Sequence, residues 1–379
     1  MNEPNGFYRP TWIEVDLGAI AHNFDLIQQK LHPQTRILIP IKANAYGHGA
    51  VEVAKTLEAK GAAFLGVANV DEAVILRREG IRAPLLILNA ILAREIDAVL
   101  EYDLTQTVCT EEDAKRLDQQ AERWKKKIPV HLKVDTGMGR LGIWHEEGLT
   151  FARFVNACRH LFLEGLFTHL ANADDTEPDV TDLQISRFTD LVETLKKERL
   201  LPPFVHIANS AGVLKYPASH FNLVRPGLAI YGIDPFGSVR NRDLSTELQP
   251  ALRLMSRIVY LKKTPEGRRI SYGGTYTTQK ETMIATLPIG YADGYNRLLS
   301  NRGQVKIRGE LVPVLGQVSM DLISVDLTDI PDPTVGEEVL LLEDECDSPI
   351  SASAWAKALG SSPYEVFTSI GSRVERVSV

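Results

Sequence analysis

Several short apolar runs in this sequence finish on a polar or cationic residue, and those endings carry the chemistry the chain could do. Lys42 closes the run RILIPIK and opens IKANAYGHG. An amine at the end of an apolar strand is desolvated, and desolvation with neighbouring cations lowers its pKa toward Schiff-base chemistry. The alternative is a lysine whose stem covers apolar surface while its amine reaches water. HLKVDTGMGR supplies Lys133, Asp135 and Arg140, FTHLANADD supplies His169, HIANSAG supplies Asn209 and Ser210, and LVRPGLAIYG supplies Arg225 and Gly227. Backbone N–H groups at Ser210, Gly212 and Gly227 could cradle a phosphate, aided by a helix N-terminus after Asn209; taken alone, they are ordinary turn residues.

These residues need a scaffold that brings strand ends together. From Arg36 to Tyr231, β-branched runs alternate with amphipathic segments, the pattern of repeated βα units. Eight strands are predicted, at 36–42, 63–67, 85–88, 104–108, 130–134, 161–169, 204–208 and 221–225, with helices such as 49–60, 71–80, 111–126, 147–160 and 182–199. Asp71 and Thr110 are among the acidic or capping residues that open them. The fold class is therefore α/β, a (β/α)8 barrel over 11–243, whose strand ends converge on one mouth. After Asn241 the texture changes to alternating strands with Gly and Pro punctuation: 252–261, 282–288, 304–309, 311–316, 322–327 and 338–342. One helix, 351–360, has a Ser cap and a Gly stop, so 244–379 reads as a mainly β domain, joined by segment 1–10.

Composition narrows the function. With 379 residues, 44% hydrophobic, and 42 Lys plus Arg against 49 Asp plus Glu for a net charge of −7, the chain is globular and lacks the basic footprint of nucleic-acid binding. Cys109, Cys158 and Cys346 have no CxxC spacing, so neither a disulfide framework nor a zinc site is expected. The opening MNEPNGFYRPTW has no apolar h-region and no run is long enough for a membrane span, so a cytoplasmic enzyme without membrane contact is expected. The acidic run EDECD at 343–347 lacks calcium-loop spacing and reads as a solvated turn, and no metal site is expected elsewhere. Gly137 to Gly142 spell GxGxxG after a strand, the dinucleotide fingerprint, but the following helix begins only near Glu146, so the glycines do not open it.

Four segments together resemble the pyridoxal-phosphate-dependent alanine racemases: IKANAYGHG (41–49), KVDTGMGRLG (133–142), NLVRPGLAIYG (222–232), and the pair SYGGTY (271–276) with GQVSMD (316–321). The resemblance implies a fold-type III enzyme: a barrel, a C-terminal β domain, and a head-to-tail homodimer in which each β domain completes its partner's site. It implies that Lys42 holds pyridoxal 5'-phosphate covalently, with Tyr46, Ser210, Gly227, Leu228 and Tyr364 at its phosphate. His169 is similar to a histidine beside the ring and linked to Arg225, and Arg140 to a residue near the phenolic oxygen and the substrate carboxylate. Lys133 matches a lysine that is carbamylated in many members. Tyr272 matches the second base and Met320 a residue whose N–H meets the substrate carboxylate, both reaching across from the other subunit, while Tyr291 narrows the entrance and neighbouring Asp321 supports it.

The chemistry agrees with such roles. Racemisation removes a proton from one face of a planar carbon and returns one to the other, so two opposed acid/base groups are natural. Tyrosine starts near pKa 10, so Tyr272 needs nearby positive charge, for which Arg140 is the expected source. Arg225 is the most diagnostic residue: a permanently charged arginine facing the pyridine nitrogen leaves it unprotonated, which tempers the electron sink and disfavours transamination. Gln317 and Ser319 depart from the family pattern, where Arg and often Cys stand. The competing readings are a fold-type III amino-acid decarboxylase, a non-catalytic cofactor carrier, a nicotinamide oxidoreductase, and a serine or broad-specificity racemase.

Overall fold

The computed structural model describes residues 8–175, 179–236, 247–343 and 348–379, which form two compact units. Residues 20–45 and 50–249 make one unit; those up to Ala19, 46–49 and from Pro250 onward make the other.

The first unit is the expected barrel. Its eight strands follow one another as Leu223–Val224, Arg36–Pro40, Phe64–Val67, Leu85–Ile87, Thr105–Val108, Ile128–Asp135, Leu161–Phe167 and Phe204–His206, each parallel to its neighbour. The ring draws nearly closed where Arg225 N–H donates to Ala208 O at 2.8 Å and Val205 N–H to Asn222 Oδ1 at 2.8 Å. Strands such as Phe64–Val67 are buried at every position, so they read as unbroken apolar runs instead of alternating ones. Thr110 caps the helix Glu111–Trp124 by accepting from Asp113 N, whereas Asn69 caps Val70–Arg78 and leaves Asp71 inside the first turn.

The second unit is a nine-stranded sheet. Its order is Tyr260–Thr264, Thr282–Leu287, Ile323–Asp326, Glu310–Leu315, Gln304–Ile307, Glu338–Leu342, Leu252–Arg257, Thr11–Val15 and Glu375–Ser378. Three expectations are corrected here. The run 252–261 is two strands, because Ile258 N–H turns to Glu337 O and Val259 N–H to Thr286 O, which sends the halves to different neighbours. A second helix, Pro363–Ser369, follows Ala352–Leu359; Pro363 at its first position was the missed signal. Thr11–Val15, assigned to the barrel from sequence, pairs antiparallel with Leu252–Arg257 and parallel with Glu375–Ser378. The expected boundary at 243/244, Cys346, and all of the acidic run but Glu343 lie outside the described residues.

Candidate active site

Just past the barrel strand Arg36–Pro40 the backbone does something L-residues avoid. Ala43, Asn44, Ala45 and Tyr46 all have left-handed φ, between 52° and 56°, in one turn that begins at Lys42. Each non-glycine residue in that region costs roughly 1–2 kcal/mol, so the turn persists only where its surroundings over-determine it. Glu72 does much of that. Its Oε1 accepts from Ala43 N at 2.9 Å and its Oε2 from Ala68 N at 2.7 Å, while Asn44 Oδ1 accepts from Ala50 N at 2.8 Å. The turn leaves Lys42 half-buried, and burial, then the Arg140 and Arg225 cations, lower its pKa; Glu72 opposes them.

Arg225 is buried and donates on several sides. One terminal nitrogen reaches His206 Nδ1 at 2.7 Å; the other reaches Thr168 O at 2.7 Å, Ile207 O at 3.1 Å and His169 Nδ1 at 3.3 Å. Arg225 also lies over the Phe167 ring, as does the Lys133 amine, 4.2 Å from the centroid. Lys133 is fully enclosed, and burial together with Arg225 and Arg140 holds its pKa well below that of a free lysine. Burial and the same cations hold His169 well below its ordinary value, so it is neutral at pH 7.

The glycine fingerprint has another purpose. Asp135 turns its carboxylate back into the loop and accepts from Gly137 N at 2.8 Å, Met138 N at 2.9 Å and Arg140 N at 3.1 Å. Those N–H groups are committed to a side chain and shape the loop that carries Arg140, so they form no dinucleotide cradle. Ser210 Oγ accepts from Gly227 N at 2.8 Å and Ala229 N at 3.2 Å, which fills both lone pairs and leaves its own hydrogen to donate. Two of the expected phosphate donors are corrected: Gly212 N–H donates to Asn209 Oδ1 at 2.9 Å and Gly227 N–H to Ser210 Oγ at 2.8 Å, so neither backbone N–H is offered to a phosphate. Cys109, at the end of another barrel strand, has its thiol pushed up to about 12 by burial and is inert.

The β unit gathers the other predicted residues. Tyr272 starts a short turn after Ser271, whose hydroxyl donates to Gln317 O at 2.6 Å. Tyr291 N donates to Ser319 O at 3.0 Å and Ala292 N to Met320 O at 3.1 Å, so the Tyr291 and Met320 segments are stitched together. Behind them buried Asp293 accepts from both terminal nitrogens of Arg9 at 2.6 Å, and Arg373 bridges from Asp293 to Asp321. Ser319 donates to Leu322 O at 2.6 Å and closes that turn. Tyr272 is 71% exposed and Met320 52%. The Tyr46 and Tyr364 rings lie 5.6 Å apart.

The family model for the alanine racemase N-terminal domain matches residues 15–235, and the model for the alanine racemase C-terminal domain matches 251–378. The chain belongs to the alanine racemase family. It is 44% identical to an alanine racemase of Carboxydothermus hydrogenoformans over 98% of this chain and 100% of the relative. Among solved structures it is similar to the alanine racemase of Bacillus anthracis with bound L-Ala-P, at TM-score 0.90 and 39% identity, covering 100% of this chain and 96% of that one. The alanine racemase from Bartonella henselae with covalently bound pyridoxal phosphate matches at TM-score 0.85 and 28% identity, covering 98% and 99%.

For a racemase of this family the barrel unit therefore brings Lys42, Lys133, Arg140, His169, Ser210, Arg225, Gly227 and Leu228 to one set of strand ends, and the β unit brings Tyr272, Tyr291, Met320 and Asp321 to another cluster. Sequence reasoning missed Glu72, His131 and His206. His131 had a signal: it sits two residues before Lys133 on one strand and therefore points inward with it.

Proposed function

We propose that the chain interconverts L-alanine and D-alanine with pyridoxal phosphate, using Lys42 and Tyr272 as opposed acid/base groups. The observation that carries this reading is the half-buried Lys42 amine, lowered in pKa by burial and by Arg140 and Arg225, in a chain of this family. The donor set fits the cofactor: a depressed amine for an aldehyde, the Ser210 hydroxyl aimed to donate to a phosphate, and the donor-only guanidinium of Arg225. Bound pyridoxal phosphate supplies the electrophilic ring that takes up the electron pair released at the α-carbon.

Lys42, once its amine is neutral, moves the α-proton on one face. Tyr272 moves it on the other. Arg225 keeps the ring nitrogen an acceptor because a guanidinium does not release its proton. Arg140 and the Met320 N–H hold the substrate carboxylate, with Tyr291 at the entrance and Tyr46, Gly227, Leu228 and Tyr364 around the phosphate. His169 stays neutral beside the ring, and Lys133, whose pKa burial and the Arg225 and Arg140 cations hold well below that of a free lysine, is the amine on which a carbamate would form. Tyr272, Tyr291 and Met320 are large exposed groups, which favours a homodimer in which they meet the partner's barrel mouth. The role is D-alanine supply for peptidoglycan in the cytoplasm. Purified protein with pyridoxal phosphate and L-alanine in deuterated water should show α-proton exchange together with loss of optical rotation. Exchange without loss of rotation, or release of carbon dioxide, refutes it.

A further inference from the structure

Below Arg225 the barrel interior holds a line of polar side chains to which no role has been given. His206 and His131 are both fully buried, and His206 Nε2 lies 2.9 Å from His131 Nδ1. His131 Nε2 faces Glu164 Oε2 at 3.4 Å, and Thr105 Oγ1 also faces Glu164 at 3.4 Å.

The polarity of this line has one solution. Arginine only donates, so His206 Nδ1, 2.7 Å from Arg225, must be the acceptor, and the proton of the neutral ring is on Nε2. That proton is donated to His131 Nδ1, which places the second proton on His131 Nε2, the nitrogen on the side of the Glu164 carboxylate. The opposite order would set N–H against N–H at Arg225. An imidazolium at either ring would do the same beside a buried cation.

The surroundings are built for the line. The strand pairing shifts register between Val130 and His131: Val130 pairs with Leu163 and His131 with Gly165, leaving Glu164 as the extra residue of a bulge, a device that re-aims a side chain. Gly165 has no side chain where a Cβ would overlap the His131 ring. Phe167 stacks on His206 with centroids 4.7 Å apart and planes 1° from parallel, and Phe64 meets His131 edge-on at 5.4 Å. Burial and Arg225 lower both imidazoles, with Glu164 opposing at His131, consistent with two neutral rings.

We infer that His206, His131 and Glu164 are positioning residues: a one-way hydrogen-bond line from Arg225 through His206 to His131, ended by the Glu164 carboxylate 3.4 Å from His131 Nε2, that anchors Arg225 and fixes the direction in which it donates. The inference rests on the proposed function, in which Arg225 faces the cofactor's ring nitrogen. None of the three touches the substrate; they act through Arg225.

Two measurements test it. The first is nitrogen NMR of the full-length protein labelled at histidine, which needs neither turnover nor a variant of uncertain folding. Both buried rings should carry their proton on Nε2 between pH 6 and 8; an Nδ1–H tautomer or an imidazolium at either ring overturns the relay. Glu164→Gln should move the His206 signals as well as those of His131, and a response confined to His131 overturns the coupling. The second uses the holoenzyme of His206→Phe, which keeps the stacked ring but not the link. It should lose roughly 10- to 100-fold in kcat with KM little changed, as for a reacting group displaced by up to about 1 Å. Its cofactor absorption should shift, and His206→Gln, which keeps an acceptor and a donor, should recover part of both; unchanged kcat and spectrum in His206→Phe overturn the inference. A wild-type protein with the expected tautomers but no alanine exchange would refute the racemase reading and leave the relay standing.

Discussion

Replacing Glu72 by Gln asks whether the left-handed turn holds Lys42 in working position. The carboxylate accepts from Ala43 N at 2.9 Å and Ala68 N at 2.7 Å through separate oxygens. Glutamine keeps one acceptor and turns an NH2 toward the other N–H, so one bond to a charged group is weakened and the other becomes donor against donor. Bonds to charged groups contribute about 1.5–3 kcal/mol and an unsatisfied partner costs about 1–3 kcal/mol, less where water reaches it. Ala43 N is exposed, so about 2 kcal/mol is the expected loss. That is smaller than the roughly 4–8 kcal/mol stored by four left-handed residues, so the strain is only partly released. The barrel should remain folded while Lys42 wanders from its place. We expect kcat/KM for alanine to fall roughly 10- to 30-fold, the rate equivalent of about 1.4–2 kcal/mol. Glu72 raises the Lys42 pKa, so its removal should also move the limb on which activity rises with pH toward acid. Racemisation rates across pH, with circular dichroism to verify folding, measure both effects. Unchanged kcat/KM with an unmoved limb would refute the assignment of the turn to Glu72.

Tyr272→Phe should retain the cofactor, because Lys42 still holds it, but lose racemisation by roughly 10²- to 10⁴-fold; full activity would sink the two-base scheme. Gly165→Ala places a Cβ in the His131 ring and should destabilise the barrel by about 1–3 kcal/mol, read as an earlier midpoint in denaturant. His131 and His206 should make the barrel acid-sensitive. Both pKa values are lowered by burial, whereas the unfolded chain takes up protons near pH 6.5, so the unfolded state binds more protons below that value and stability falls as pH falls. Each ring adds up to about 1.4 kcal/mol per pH unit below about 6.5, and equal denaturation midpoints at pH 7 and 5.5 would contradict this.

What the sequence displayed and what it hid follow from the range of the interactions involved. Barrel strands were legible because burial on both faces leaves continuous apolar runs, and Ser351 with Gly360 marked one helix because caps act within a turn. The strand Thr11–Val15 was misassigned because its partners begin at Leu252 and Glu375, and no local pattern reports pairing at that separation. The site divides in the same way. Lys42, Arg140 and Arg225 could be found at strand ends, whereas the groups that hold them could not. Glu72 reaches Ala43 from 29 positions away, and His206 reaches His131 across 75. The fingerprint GMGRLG shows how a motif misleads when its donors are spoken for: the same glycine loop that could cradle a phosphate is closed on Asp135, two residues upstream. A loop N–H is a binding site only when no nearer acceptor claims it, and in this chain the nearer acceptor is what shapes the loop carrying Arg140.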